Sequence, residues 1–181
     1  MLEDLEKLSQ IVASGKIEEN IDFIKKEIPE IENMIGFEHR HPHHHLDVWN
    51  HTLEVVKNIN SQDLELKMAA LLHDIGKPFS YQDEEVRHFH GHPEVSEKMS
   101  KNILKRLGYS ENFIINVCYL VRNHDTVIDP QNLDNSYKMV MKRLELQYAD
   151  AKAHAPGKVE KRLNFLDSIS KSLERKEERE I

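Results

Sequence analysis

The sequence predicts an all-α protein, a compact helical bundle with helical extensions at its N- and C-terminal ends. Three observations lead there. Apolar residues recur at spacings of three and four along most of the chain, the period of one helix face. No stretch alternates apolar and polar residues convincingly, and no Asn-Gly hairpin signal occurs. Glycines, prolines and capping residues fall between the apolar stripes rather than within them. A length of 181 residues fits one compact domain and buries a sizeable core without disulfides.

Leu2, Leu5, Leu8 and Val12 form the first stripe, which ends near Gly15. Ile17, Ile21, Ile24 and Ile28 form the second and stop at Pro29; Ile31, Met34 and Ile35 make a short third piece before Gly36. A histidine-rich stretch, His39 to His45, leads to Asp47, which is suited to cap a helix beginning at Val48. Leu64 to Asp74 reads as the next helix, stopped by Gly76 and Pro78. Residues 77 to 92 read as a polar loop. Pro93 suits a helical first turn, with Gly108 ending that helix near Leu107. Ser110 caps an apolar run that reaches Asn123, and Ser136 caps a helix through Leu146 towards Ala149. The last helix runs from Lys158, and its charged end, Glu174 to Glu180, reads as a solvated tail.

Composition narrows the function. With 25 basic and 32 acidic residues the formal charge is −7, which argues against a broad nucleic-acid surface. A phosphate-bearing ligand held by a metal and a few local cations remains compatible with that balance. The single cysteine, Cys118, lies in an apolar run and reads as a buried, inert thiol. The acidic N-terminus does not resemble a signal peptide, and the apolar runs are too short to span a membrane, so a cytoplasmic location is expected.

The chain carries 12 histidines, and the question is which of them converge. His73-Asp74 is the strongest local signal. An imidazole and a carboxylate side by side at the end of an apolar helix are costly to bury unless something compensates them. A cation accounts for both, because neutral imidazole offers nitrogen and aspartate offers a hard oxygen. His51 sits on the preceding helix, which can pair antiparallel with the helix bearing His73. Asp150 closes another largely apolar segment and is suited to be a distal fourth ligand.

Taken together, His51, His73-Asp74 and Asp150 resemble the HD superfamily of metal-dependent phosphohydrolases. The likeness is carried by Leu71-Leu72-His73-Asp74-Ile75-Gly76-Lys77-Pro78 and by Asp47-Val48-Trp49-Asn50-His51-Thr52-Leu53. It covers about residues 39–155, so that 1–38 and 156–181 are extensions of a single HD-type unit spanning 1–181. His44-His45, Phe89-His90-Gly91-His92 and Ala149-Asp150-Ala151 are similar in particular to the HD domain attached to bacterial tRNA nucleotidyltransferases. The chain has no room for a nucleotidyltransferase head, so a free-standing hydrolase domain is expected.

The resemblance implies one or two divalent transition ions, Mn, Fe, Co, Ni or Zn. His51, His73, Asp74 and Asp150 are the implied ligands of the first. His92 and His124 are placed like the extra histidines of dinuclear members; in a one-ion site they would contact substrate instead. Asp125 follows His124, where some dinuclear branches have a second histidine. The implied reaction is attack of an activated water on phosphorus, since a bound cation lowers the pKa of water from ~16 towards ~7. Asp74 and Lys77 are the expected catalytic residues, and Lys77, His92, Arg122 and His124 the expected substrate contacts. The expected substrate is a nucleotide or another small phosphate ester. The competing readings are a catalytically weak regulator that binds nucleotide and metal, with Glu174 to Arg179 as a partner-binding helix end, and a helical protein with a purely structural ion. One cysteine makes a closed structural zinc site a poor fit.

Overall fold

The computed structural model describes residues 2–180, except the side chains of Arg179 and Glu180. Among the described residues it is built of eight α-helices and three 3-10 turns, with no strand. The α-helices are α1 (Leu2–Ser14), α2 (Ile21–Glu27), α3 (Val48–Asn58), α4 (Leu64–Leu72), α5 (His92–Leu107), α6 (Glu111–Arg122), α7 (Tyr137–Lys152) and α8 (Glu160–Glu180). None of them is long and apolar enough to cross a membrane.

The helix starts follow their capping residues. Asp47 accepts from the Asn50 amide at 2.6 Å and Asp63 from that of Leu66 at 3.0 Å. Ser110 and Ser136 do the same for Phe113 and Met139, each at 3.3 Å. Each cap satisfies an amide that a helix start otherwise leaves unbonded. Gly108 ends α5 with φ of 89°, a left-handed conformation that carries no side-chain penalty in glycine.

Four boundaries differ from expectation. The stripe from Ile17 to Ile28 is split into a 3-10 turn, Glu18–Asn20, and α2, and the piece beyond it is the 3-10 turn Pro29–Asn33. Helix α4 ends at Leu72, leaving His73 and Asp74 in the turn that follows. Helix α7 continues past Ala149 to Lys152, so Asp150 lies within its last turn. Helix α8 begins at Glu160 rather than Lys158. The expected loop after Lys77 contains a 3-10 turn, Lys77–Phe79, and an isolated bridge between Gln82 and His88.

Helix α4 is the centre of the bundle. Leu66, Met68, Ala69, Ala70, Leu71 and Leu72 are all buried, and α1, α3, α6 and α7 pack around them. A helix this apolar, with Glu65 and Lys67 as its only charged residues, is suited to an interior position. Burial of each leucine contributes about 1.5–3 kcal/mol. The C-terminal end of this central helix therefore lies in the interior, and it delivers His73 and Asp74 there. Helix α8 packs on α7 through a second apolar cluster that includes Leu144, Leu166, Ile169 and Leu173.

Candidate metal centre

Five segments of chain deliver one cluster. His51 comes from α3, His73 and Asp74 from the turn after α4, His92 from the first position of α5, His124 from just beyond α6, and Asp150 from the last turn of α7. The His51, His73, Asp74 and His124 side chains are at most 3% exposed, whereas His92 is 11% and Asp150 18% exposed.

The four imidazoles are held in the same way. Nδ1 of His73 contacts the Ala70 carbonyl at 2.7 Å, that of His124 the Val121 carbonyl at 2.7 Å, and that of His92 the Phe89 carbonyl at 2.9 Å. His51 Nδ1 lies 3.4 Å from the Ala153 carbonyl. In three cases the acceptor is three residues back. Carbonyls in the last turn of a helix lack an intrahelical donor, so an imidazole just past α4 or α6 supplies one. A carbonyl can only accept, so each Nδ1 carries a proton, and in the neutral imidazole Nε2 is left with the lone pair.

Those lone pairs converge on carboxylates. Asp74 Oδ2 lies 3.3 Å from His73 Nε2 and 3.7 Å from His51 Nε2. Asp74 Oδ1 lies 3.3 Å from His92 Nε2 and 3.8 Å from His124 Nε2. Asp150 Oδ1 lies 2.9 Å from His51 Nε2 and 3.7 Å from His73 Nε2. His92 Nε2 and His124 Nε2 face each other at 3.2 Å. Acceptors packed this closely repel one another unless a cation or proton sits between them. His73 Nε2 is buried with no hydrogen-bond partner, and neither Asp74 oxygen accepts a hydrogen bond of normal geometry. The residues therefore fit a divalent ion, and two groups of ligand atoms meet the requirement: His51, His73 and Asp74, and Asp74, His92 and His124.

The electrostatics carry the same demand for positive charge. Burial opposes a charge on His73, but Asp74 and Asp150 outweigh it and pull the imidazole up to about 10. Burial works against ionising Asp74 too, yet His73 and Lys77 hold its carboxyl well below the usual range. Asp150 is likewise held low against burial, by His51 and His73. Burial lowers the His51 imidazole, and burial followed by the neighbouring His73 lowers His124 to about 4. A proton on His73 thus supplies, in the metal-free protein, the positive charge that a cation there would supply.

Lys77 is part of this charge arrangement. Its Nζ is 2.8 Å from Asp74 Oδ2 and 3.1 Å from His39 Nε2, and the residue is 6% exposed. The His39 side chain is fixed through Nδ1 to the Leu46 carbonyl at 2.9 Å and stacks on His44. His39 gave no sign of this role in the sequence, where the resemblance rested on His44-His45 of the same tract. The structure buries His39 and leaves His45 exposed. His154, four residues beyond Asp150, contacts the Asp150 carbonyl through Nδ1 at 2.8 Å.

Arg122, the remaining expected substrate contact, is engaged away from the cluster. Its guanidinium pairs with Glu94 at 2.7 Å and Glu97 at 3.4 Å, both on α5, and it lines neither depression beside the cluster. The helical turn that points His124 inward turns its neighbour Arg122 away. Two depressions border the centre. One, of about 330 Å³, is lined by Lys77, His92, Asp125, Arg87 and His44 among others. The other, of about 510 Å³, is lined by Asp150, Asp125, His154 and the start of α8.

Sequence reasoning also passed over Arg143 and Gln147. Arg143, 2% exposed, donates to the carbonyls of Asn123 at 3.1 Å, Thr126 at 2.6 Å and Val127 at 3.1 Å, and pairs with Asp134 at 3.1 Å. Gln147 donates to the Asn123 and Thr126 carbonyls at 3.2 and 2.7 Å. Together they hold the segment that presents His124. An arginine and a glutamine four apart on an otherwise apolar helix face were the available signal.

All-helical, with a buried centre of imidazoles and carboxylates, the chain belongs to the HD domain family, whose match covers residues 43–155, more than half of its length. It is 34% identical over 125 residues to the CC-adding tRNA nucleotidyltransferase of Thermus thermophilus, covering 65% of this chain and 29% of that enzyme. It is also 34% identical over 110 residues to the A-adding tRNA nucleotidyltransferase of Deinococcus radiodurans, covering 57% of this chain and 25% of that enzyme. The chain thus spans less than a third of the length of either relative.

Proposed function

We propose that the protein is a metal-dependent phosphohydrolase acting on a nucleotide or another small phosphate ester. One observation carries the reading: each oxygen of the buried Asp74 carboxylate faces its own pair of histidine Nε2 atoms. His51, His73, Asp74 and Asp150 would hold one ion, and Asp74, His92 and His124 a second. A divalent transition metal bound there supplies a Lewis acid for a phosphoryl oxygen and lowers the pKa of a coordinated water.

The chain's own groups supply the rest. Carbonyl contacts at Nδ1 orient the four imidazoles before any ligand arrives. Lys77 has three ammonium hydrogens and two neighbours, Asp74 and His39. Its third N–H is left to donate to a phosphoryl oxygen from the wall of the smaller depression. Partial exposure of His92 and Asp150, on opposite sides of Asp74, supports a site open to substrate rather than a closed structural one.

The test is reconstitution. The protein is stripped with chelator, reloaded separately with Mn, Fe, Co, Ni or Zn, and assayed on 2′,3′-cyclic nucleotides, 5′-nucleotides and dinucleoside polyphosphates. Turnover with at least one metal, lost in Asp74→Asn, is expected. No turnover of any ester with any metal would leave the regulatory reading in its place.

A further inference from the structure

The larger depression has a wall that the metal centre does not explain. Lys158, just before α8, and Lys161, Arg162 and Phe165, in its first turns, recur every three or four residues, and all four line the same hollow as Asp150. The apolar stripe of α8, Leu163, Leu166, Ile169 and Leu173, packs towards α7 and runs beside this row, since Arg162 and Phe165 each stand four residues before a member of it, Leu166 and Ile169. The packing of that stripe fixes the row at the edge of the hollow that it shares with Asp150.

Several other cations of this acidic chain are held in ion pairs. Arg106 pairs with Glu30, Arg122 with Glu94 and Glu97, Lys142 with Asp63 and Glu65, and Arg143 with Asp134. Among the described residues, Lys158, Lys161 and Arg162 take part in no such pair. Phe165 keeps 40% of its surface exposed beside them. At about 510 Å³ the hollow is in the range of a small-molecule site.

We propose that this face of α8 is a subsite for the distal phosphates of a nucleoside oligophosphate, whose reacting phosphate lies at the Asp74 and Asp150 centre and whose base lies against Phe165. The assignment rests on the phosphohydrolase reading for what the neighbouring centre does. Lys158, Lys161 and Arg162 donate charge-assisted hydrogen bonds to phosphate oxygens, with the arginine suited to a bidentate grip. Phe165 offers an apolar platform on which a base stacks. The carboxylates of the centre repel a phosphate chain, so the cations on the far wall decide which way it extends.

The experiment is calorimetric titration of inorganic tripolyphosphate, and separately of ATP, into chelator-treated protein. Wild type is compared with Lys158→Gln/Lys161→Gln/Arg162→Gln, and with Lys98→Gln/Lys101→Gln/Lys105→Gln, which removes the same charge from the exposed side of α5. Circular dichroism checks that all remain folded. The α8 variant is expected to bind tripolyphosphate about tenfold or more weakly, with the α5 variant within about twofold of wild type. Phe165→Ala is expected to lower ATP affinity roughly fivefold or more and to leave tripolyphosphate unaltered. Absence of tripolyphosphate binding to wild type, or equal losses in the two triple variants, would overturn the subsite; unchanged ATP affinity in Phe165→Ala would overturn its nucleoside part. Binding is read without metal or turnover, so the two proposals fail separately. A chain that hydrolyses esters but ignores the α8 substitutions loses only the subsite, and one that binds through α8 but turns over nothing loses only the hydrolase reading.

Discussion

His51 Nε2 lies 2.9 Å from Asp150 Oδ1, although 99 positions separate the two residues. The contact joins α3 to the last turn of α7 directly above the turn that carries His73 and Asp74. It brings two nominal hydrogen-bond acceptors together, because His51 Nδ1 faces the Ala153 carbonyl. Consequences for metal binding, stability and pH response can be measured.

Metal stoichiometry is the most direct. Elemental analysis of the purified protein is expected to give about two ions, falling to about one in His124→Ala, since that substitution removes one ligand of the group formed with Asp74 and His92. One ion in both proteins would remove the two-ion arrangement and leave His92 and His124 as substrate contacts.

Arg143 is expected to matter without touching the ions. Arg143→Met takes one donor from each of the Asn123 and Thr126 carbonyls, leaving them Gln147, and removes the side-chain donor of the Val127 carbonyl. Loss of the hydrogen bonds of this charged donor costs about 1–3 kcal/mol, because Asp134, the charge left behind, is half exposed. Urea unfolding should show that loss, and the folded fraction should retain less of the ion bound through His124. A change below about 1 kcal/mol would show that Gln147 alone anchors the segment.

Gly76 follows the doublet by two residues, and a side chain there has nowhere to go. A Cβ would come within 2.6 Å of the Ser96 amide nitrogen and 2.9 Å of Ser96 Oγ, which accepts from the Gly76 amide. Gly76→Ala is expected to cost about 1–3 kcal/mol through overpacking against backbone. The melting temperature and the metal affinity should fall together, because the same turn positions Asp74.

The metal-free protein should lose stability on acidification, in part through His39. Burial, followed by the Lys77 charge, lowers this imidazole from 6.5 to about 3, with Asp74 and His51 also facing it. An unfolded chain takes up the proton at pH 6.5 and below, whereas the folded chain refuses it until about 3. The stabilisation is present above 6.5 and is lost as pH falls through that window. His73 has the opposite sign: raised to about 10, it contributes fully below 6.5 and progressively less as pH rises towards 10. His39→Asn should flatten the acid limb of unfolding free energy against pH by up to about 1.4 kcal/mol per pH unit. An unchanged slope would assign the acid response to other histidines.

Cys118 should be inert in the folded state. Burial, followed by Glu97, raises its thiol to about 11, and the residue is 7% exposed. Iodoacetamide at neutral pH is expected to label it only after unfolding. Rapid labelling of the native protein would mean that α6 opens locally.

Much of the molecule was legible from local rules. The helix starts at Asp47, Ser110 and Ser136 and the stop at Gly108 follow from capping chemistry that acts over three or four residues. The all-helical architecture follows from apolar spacing, and the His73-Asp74 doublet stood out because burying it without compensation is costly. Other features carried no local mark. His39 and His45 belong to one histidine tract, yet one is buried against Lys77 and the other faces solvent. Arg122 and His124 are two residues apart, yet only the histidine enters the cluster.

The sequence by itself determined the capped helix starts, the stop at Gly108, and which histidines and aspartates stand near helix ends. Those properties depend on neighbours within a turn or two. Only the tertiary structure decided that both oxygens of Asp74 face imidazoles, that His39 rather than His45 meets Lys77, and that α8 turns its cations towards Asp150. Such relations depend on how α3, α4, α5, α6, α7 and α8 pack, and packing is set by the summed burial of many side chains rather than by any residue's near neighbours.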